Sequence, residues 1–266
     1  MAVTNHFRNV SRHVRTAVAL MRHVRNWREV CLSWSHTRDP GPPLVFRRGF
    51  VIHGGLQERS LQGFDSVFRD HHYSPHLHEP DIGELIDIGA NIGALSLDWL
   101  SRKPGVKVHA YEPSPGAFEV LKRNVIANGF RERARLYNEG VWRGSGTVEL
   151  LRISSTATTA FAASGSTGET FLANTVGLDE AVGRCTQTEP LALVKIDTEG
   201  AEAEILEGAS NATLAHIEQF IIEYHDFRVP GSLERCAKVL ANNGFGCTVR
   251  PTGGAVGLLY AVRRAV

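Results

Sequence analysis

Polar residues capable of chemistry fall at the ends of apolar runs in this chain. The run Leu85-Ile-Asp-Ile-Gly-Ala-Asn-Ile-Gly93 closes on Asp87 and then alternates glycines, Gly89 and Gly93, around Asn91. The run Val106–Tyr111 ends in Glu112. A third, Leu193-Val-Lys-Ile-Asp-Thr-Glu-Gly200, carries Lys195, Asp197 and Glu199, and a fourth, Phe220-Ile-Ile-Glu-Tyr-His225, carries Glu223 and His225. A glycine turn after a buried strand lets the backbone approach a ligand. The helix that follows points unpaired N–H groups at it. An acidic residue at the next strand's tip can accept both ribose hydroxyls. Carboxylates and a histidine at further strand ends can take the proton of a nucleophile.

The spacing selects among nucleoside ligands. A dinucleotide fingerprint needs G-x-G-x-x-G. Here Asn91 occupies the middle position, and Ala94-Leu95 stands where a third glycine would fall. Asp87 suits a ligand with a positive ammonium group. Together with Glu112, these details favour S-adenosylmethionine as cofactor.

These residues need a frame to hold them. From Gly83 onward the pattern alternates strand and helix: strand Glu84–Ile88, helix Ala94–Arg102, strand Val106–Tyr111, helix Pro115–Asn128 capped by Ser114, and strand Ala134–Tyr137. Strand Ala192–Ile196, a helix from near Ala201 to Gly208, strand Phe220–Tyr224 and helix Leu233–Asn243 follow, with a final antiparallel pair at Cys247–Arg250 and Leu258–Val262. Such alternation implies a parallel α/β sheet that binds ligands beyond its carboxyl edge. Between these blocks, Thr147–Ile153 reads as a hairpin-like excursion leading into a Ser/Thr/Ala/Gly loop to about Thr170, with order resuming over Val176–Val182. Ahead of them, residues 5–31 have helical periodicity in Phe7, Val10, Val14, Ala17, Met21 and Val24. Asp39-Pro-Gly-Pro-Pro43 reads as a stiff linker, residues 44–56 as a hairpin turning at Arg48-Gly49, and residues 60–72 as a short helix. The expected organisation is an extension over 1–43, a hairpin and helix over 44–80 and a catalytic domain over 81–266.

Several residues admit a plainer reading. Lys195 lies inside an apolar strand, so its ammonium must be paired or lose its charge. With its strand between the first and fifth, Asp87 and Glu223 are the nearest partners, and a counter-ion role is preferred to a catalytic amine. Glu199 could cap the following helix. Asp197 could serve the cofactor alone, and His225 could be a satisfied polar group. The order of preference for a base is His225, Asp197, Glu199. The cluster His71, His72, His76 and His78 sits in a Pro-broken loop without metal-ligand spacing, and no metal is expected.

A net charge of +1 argues against a bulk electrostatic nucleic-acid binder. Arginine is nonetheless concentrated early, at 8, 12, 15, 22, 25, 28, 38, 47 and 48, against Glu29 and Asp39. The basic amphipathic helix could lie on an anionic membrane, or pack on the domain or on a second copy as a dimer; packing on protein is preferred. Four cysteines without C-x-x-C read as reduced thiols. With no membrane-length apolar run and no signal-peptide core, a cytoplasmic location is expected.

The run Leu193–Ala209 resembles the signature of FkbM-type methyltransferases, class I S-adenosylmethionine enzymes that often methylate hydroxyl oxygens. Lys195, Asp197, Glu199, Gly200 and Glu202 match K-x-D-x-E-G-x-E. Ile86–Gly93 matches I-D-x-G-A-N-x-G, and Tyr111, Glu112 and Pro113 match Y-x-F/E-P. Val176–Glu180 resembles the T-L-D-E element, with Gly177 in place of its Thr. The similarity spans about Leu44 to the C-terminus. It implies a mostly parallel seven-stranded doubly wound sheet with an antiparallel C-terminal hairpin. It implies cofactor contacts from Asp87, Gly89, Ala90, Asn91, Gly93, Glu112, Pro113 and Asp197, with Asn138 and Glu139 near the adenine. It places Asp197, Glu199, Glu223 and His225, with Lys195, at the acceptor end.

The expected function is S-adenosylmethionine-dependent O-methylation of a hydroxyl on a small molecule, glycan or natural product. An NAD(P)-dependent oxidoreductase is the alternative enzyme, against which stand the broken glycine spacing and the absence of Tyr-x-x-x-Lys. A non-catalytic cofactor-binding module acting through its N-terminal helix is the third reading.

Overall fold

The computed structural model describes residues 14–34, 41–54, 64, 67–68, 82–152, 159–161, 169–186, 190–253 and 255–264. Helix α1 covers residues 14–23 and α2 Trp27–Trp34, followed by strands β1 (Leu44–Val45) and β2 (Val51–Ile52). Next come β3 (Ile82–Ile88), α3 (Ala94–Arg102), β4 (Gly105–Tyr111), α4 (Pro115–Ala127) and β5 (Ala134–Tyr137). Strands β6 (Gly140–Trp142), β7 (Gly146–Arg152), β8 (Thr159–Phe161) and β9 (Thr170–Gly177) precede α5 (Leu178–Gly183) and β10 (Leu193–Ile196). The chain ends with α6 (Glu202–Gly208), α7 (Asn211–Ala215), β11 (Gln219–His225), α8 (Ser232–Asn242), β12 (Phe245–Gly253) and β13 (Val256–Arg263).

Seven strands form the central sheet in the order β12-β13-β11-β10-β3-β4-β5. Strand β13 alone runs antiparallel to its neighbours, β11 and β12. These are the seven strands and the antiparallel C-terminal pair expected from the sequence. The inner strands are apolar on both faces because both faces are covered. Leu85, Leu193 and Ile221 join one core with Leu97 and Leu100. Ile86, Val194, Ile196 and Ile222 join the other with Ile205, Leu206 and Leu240. The chain proceeds outward from β3 to β5, then resumes at β10 on the other side of β3. That reversal is the switch point beyond whose carboxyl edge ligands bind.

The N-terminal segment departs from the continuous helix expected over residues 5–31. Helices α1 and α2 are separated at Val24–Asn26, and residues 1–13 lie outside the described residues. The break has a local cause. Val24 forms a bridge with Phe46, and Arg25 N donates to Val45 O at 2.7 Å. Asn26 Nδ2 donates to Pro43 O at 2.8 Å while its Oδ1 accepts from Val45 N at 3.0 Å. The backbone thus pairs with the β1 segment instead of continuing its own ladder. Leu20, Val24 and Val30 are fully buried in the same core as Leu85 and Leu100. The expected hairpin forms as β1–β2, with Phe46 stacked on Phe50 at 4.2 Å and Phe64 and Phe68 beside them. Most of the helix expected over 60–72, and the His71–His78 cluster, lie outside the described residues. Asn128 Oδ1 accepts from Val51 N and Asn124 Oδ1 from His53 N, both at 2.7 Å. An asparagine of α4, Asn124, and the one that caps its C-terminus, Asn128, thereby dock the hairpin.

The loop expected up to Thr170 is also corrected. Strands β6, β9, β7 and β8 form a second sheet in that order, with a small core of Val148, Leu150 and Ala173. Residues 153–158 and 162–168 are not among those described. Ser114 occupies the N-cap of α4 without a side-chain cap bond, and its N–H donates instead to Glu112 Oε1 at 2.8 Å.

Candidate active site

The β3–α3 turn is fixed by its neighbours. Gly89 N and Ala90 N both donate to Tyr111 O at 3.0 Å. Gly89 has φ +75°, and a Cβ there would lie 1.8 Å from Asp197 O. At Gly93, φ is +88° and a Cβ would meet Leu121 Cδ1 at 2.5 Å. At Gly89 the Asp197 backbone leaves no room for a side chain, and both glycines hold a left-handed φ that other residues rarely adopt. Asn91, at φ +52°, donates its N–H to Glu112 Oε2 at 2.8 Å. The Asn91 Oδ1 atom is buried without a hydrogen bond among the described residues.

Glu112 sits at the tip of β4 as expected, with its carboxylate held by the Asn91 and Ser114 N–H groups. Burial outweighs those two bonds and pushes its pKa up to about 7. Asn138 Nδ2 donates to Glu112 O at 2.8 Å and Pro113 O at 3.2 Å, which ties the end of β5 to the same edge. Glu139 behaves differently from the expectation. Its carboxylate pairs with Arg184 Nη1 at 2.5 Å, and that guanidinium lies over the Tyr137 ring. The side chain is committed to the protein because β6 turns away here toward the second sheet.

Asp87 is fully buried, accepting from Ser96 Oγ at 2.6 Å and pairing with Lys195 Nζ at 3.2 Å. Lys195 is equally enclosed, donating to Gly89 O at 2.8 Å and Ile88 O at 3.2 Å, with Asp197 Oδ2 at 3.6 Å. Burial disfavours its charge, but Asp87, Asp197 and then Glu223 outweigh burial and raise its pKa. An ammonium so held is a clamp between β3 and β10, not a nucleophile, and its partners include the two expected from strand order.

Asp197 N donates to Ile88 O at 3.1 Å, bringing the acceptor end against the cofactor turn. Glu199 has φ +57° and stands before α6 without capping it. Its Oε2 lies 2.9 Å from Arg228 Nε and 3.8 Å from His225 Nε2. Burial raises its pKa, against the pull of His225. The His225 Nδ1 atom is 2.9 Å from Glu202 Oε1. Burial works against a charged His225 ring, but the Glu202 hydrogen bond and the carboxylates of Asp197, Glu202 and Glu199 prevail, raising its pKa to about 9. A ring protonated at neutral pH has no lone pair to offer as a base. Glu223 lies on the same strand face as His225, two residues earlier.

Glu202 was missed as a site residue, although it closes the K-x-D-x-E-G-x-E run. It is fully buried and also accepts from Gly200 N at 2.9 Å and Ser232 Oγ at 3.4 Å. A glutamate among Ala201, Ala203, Ile205 and Leu206 in the first turn of a buried helix was the available signal.

The residues at the β3 and β4 tips fit an adenosyl cofactor. Asn91 Oδ1 is an unused acceptor. Each Glu112 oxygen keeps a lone pair beyond its one N–H bond. Glu112, Asn91, Asn138 and Asp197 are the side chains that would hold it.

The sequence profile of the FkbM methyltransferase domain matches residues 87–246. The 31-O-demethyl-FK506 methyltransferase FkbM of Streptomyces tacrolimicus is 28% identical over 211 residues, covering 68% of this chain and 80% of that protein. Methyltransferase sdnD of Sordaria araneosa is 25% identical over 214 residues, covering 70% and 82%. Among solved structures, a precorrin-6y C5,15-methyltransferase of Geobacter metallireducens aligns at TM-score 0.44 and 13% identity, over 71% of this chain and 84% of that one. The turn, the acidic strand tips and the Lys195–Glu202 run all lie within the matched segment, and the chain belongs to the FkbM methyltransferase family, S-adenosylmethionine-dependent enzymes.

Proposed function

We propose that the chain transfers the methyl group to a hydroxyl oxygen of a small molecule, glycan or natural product. The observation that carries this reading is the gathering of Asp197, Glu199 and His225 at the ends of β10 and β11, joined to the cofactor turn through Asp197 N and Ile88 O. When bound, S-adenosylmethionine supplies an electrophilic methyl on a positively charged sulfur. Displacement at that carbon needs alignment above all, and Glu112, Asn91 and Asp197 provide it on rigid strand tips. A hydroxyl nucleophile must also lose its proton. Asp197 or Glu199 takes it, and the His225 imidazolium, held by Glu202, steadies the carboxylate beside it. This reverses the order of bases expected from the sequence. The name of the Streptomyces relative, which puts the methyl on an oxygen, supports the same acceptor chemistry.

The test uses radiolabelled methyl donor with extracts of hydroxylated metabolites and glycans. Base-stable ether label formed by the wild type and lost in Asp197→Ala supports the proposal. Label recovered in amines or carbon–carbon linkages overturns the acceptor class, and equal labelling by both proteins removes Asp197.

A further inference from the structure

Below the strand tips that face the cofactor crevice, the sheet gathers side chains that methyl transfer does not use. Glu84 of β3, His109 of β4 and Cys185 after α5 each direct a ligand-type atom to one point, all three atoms within 4.8 Å of one another. We propose that Glu84, His109 and Cys185 form a zinc(II) site, with water in the fourth position.

The donor set is a carboxylate oxygen, an imidazole nitrogen and a sulfur from three separate segments, a combination suited to a borderline-soft tetrahedral ion. His109 Nε2 is 3.2 Å from Glu84 Oε2. Two ligands on one zinc ion, at bonds of about 2.0–2.3 Å, stand about 3.5 Å apart. The outer contacts are in place too. Tyr137 Oη lies 3.3 Å from His109 Nδ1, which orients the ring with Nε2 inward. Thr186 donates to both Glu84 oxygens, its N–H at 2.7 Å and its hydroxyl at 2.6 Å. Such partners fix ligand orientation and tautomer. Lys107 Nζ approaches Glu84 Oε1 at 3.6 Å, but its side chain is 60% exposed and can swing into solvent as the ion enters.

Cys185 is a buried thiol outside any disulfide, and its Sγ donates to Ala181 O at 3.7 Å. On binding, the S–H bond breaks, the sulfur pair goes to zinc and one proton leaves to solvent. The ring proton resides on Nδ1 toward Tyr137 Oη, freeing the Nε2 pair. Zinc(II), thiolate, carboxylate and neutral imidazole then sum to zero charge. Glu84 lies five residues before Gly89, about 16 Å along a strand, and His109 lies three residues before Glu112, about 10 Å. The ion therefore fastens β3, β4 and the chain leaving α5, and takes no part in methyl transfer.

The experiment titrates the full-length, chelator-treated protein with cobalt(II) and zinc(II). One equivalent of cobalt is expected to give tetrahedral ligand-field bands with a thiolate charge-transfer band. Zinc calorimetry in buffers of different ionisation enthalpy is expected to show one proton released per ion. Cys185→Ser should abolish the charge-transfer band, His109→Gln should weaken binding at least 100-fold, and Tyr137→Phe about 10-fold. Absence of the thiolate band in the wild type overturns the proposal, whether or not the variants fold. So does equal affinity in wild type and His109→Gln, which marks an adventitious ion only. None of these readouts involves the methyl donor, so they stand apart from the test of methyl transfer.

Discussion

Removing the Glu202 carboxylate removes the bond that chiefly keeps the His225 ring protonated. The groups around that ring are Glu202 on α6, Asp197 and Glu199 between β10 and α6, Arg228 beyond Glu199, and Ser232 on α8. Glu202→Gln is expected to lower the imidazole pKa from about 9, read by NMR titration. If Glu202 acts through the ring, its effect on kcat disappears in a His225→Gln background; additive losses would show separate roles. The same ring makes stability depend on pH. Its folded pKa is raised from 6.5 to about 9, so its contribution is complete below about pH 6.5 and is lost as pH rises to about 9. At about 1.4 kcal/mol per unit this is on the order of 3 kcal/mol. Denaturant unfolding between pH 7.5 and 9.5, above the range in which Glu112 titrates, should show that decline in the wild type and not in His225→Gln. Asp197, Glu199 and His225 were legible in the sequence because each ends an apolar run. Glu202 was not, since a glutamate in a first helical turn ordinarily faces water, and neither was the enclosure of Asp87, which depends on Ser96 and Lys195 arriving from elsewhere.

Elements meet at the switch point through backbone, which sets the demand on glycine there. Gly89→Ala would force a Cβ onto Asp197 O at a left-handed φ, so β3 and the β10 loop must separate. A loss of roughly 3–4 kcal/mol is expected, with weakened cofactor binding because the turn itself moves. Gly116→Ala is the control: it lies inside α4, and a Cβ there meets nothing within 4 Å. It should stabilise by about 0.5–1 kcal/mol. Thermal melts of the two variants check the pair, and equal melting temperatures would refute the argument. Strand and helix bounds around this point were readable to within a residue or two because buried parallel strands are continuous apolar runs ending in polar tips. Strands β8 and β9 were not. Around β8 the Thr, Ala, Ser and Gly from 154 to 168 carry no period-two contrast, and in β9 the small residues Ala173 and Thr175 are buried while Leu172 is exposed, so pairing with β7 supplies the order that the side chains do not announce.

At the scale of the molecule, the chain ahead of the hairpin is structural in the stretch that is described. An amphipathic basic helix followed by a proline-rich segment suggested an extension resting on a finished domain. Only part of its apolar surface completes the core on one face of the central sheet: Leu20, Val24 and Val30 are wholly enclosed with Leu85, Leu97 and Val108, whereas Val14 and Met21 of the face expected from the sequence are exposed. Each such side chain contributes about 1.5–3 kcal/mol when buried. The three together approach the whole net stability of an ordinary domain, about 5–15 kcal/mol. The Asn26 bridge and the bridge between Val24 and Phe46 then fix the hairpin that α4 docks through Asn124 and Asn128. A chain starting at residue 41 is therefore expected to lose cooperative unfolding or to express insolubly, while keeping every cofactor and acceptor residue. Asn26→Ala in the full chain should cost about 1–3 kcal/mol, because Val45 N and Pro43 O lose their partner together. Circular dichroism melts of both proteins make the comparison. A shortened chain that melts as the full one does, and binds S-adenosylmethionine equally, would return α1 and α2 to the status of an appendage.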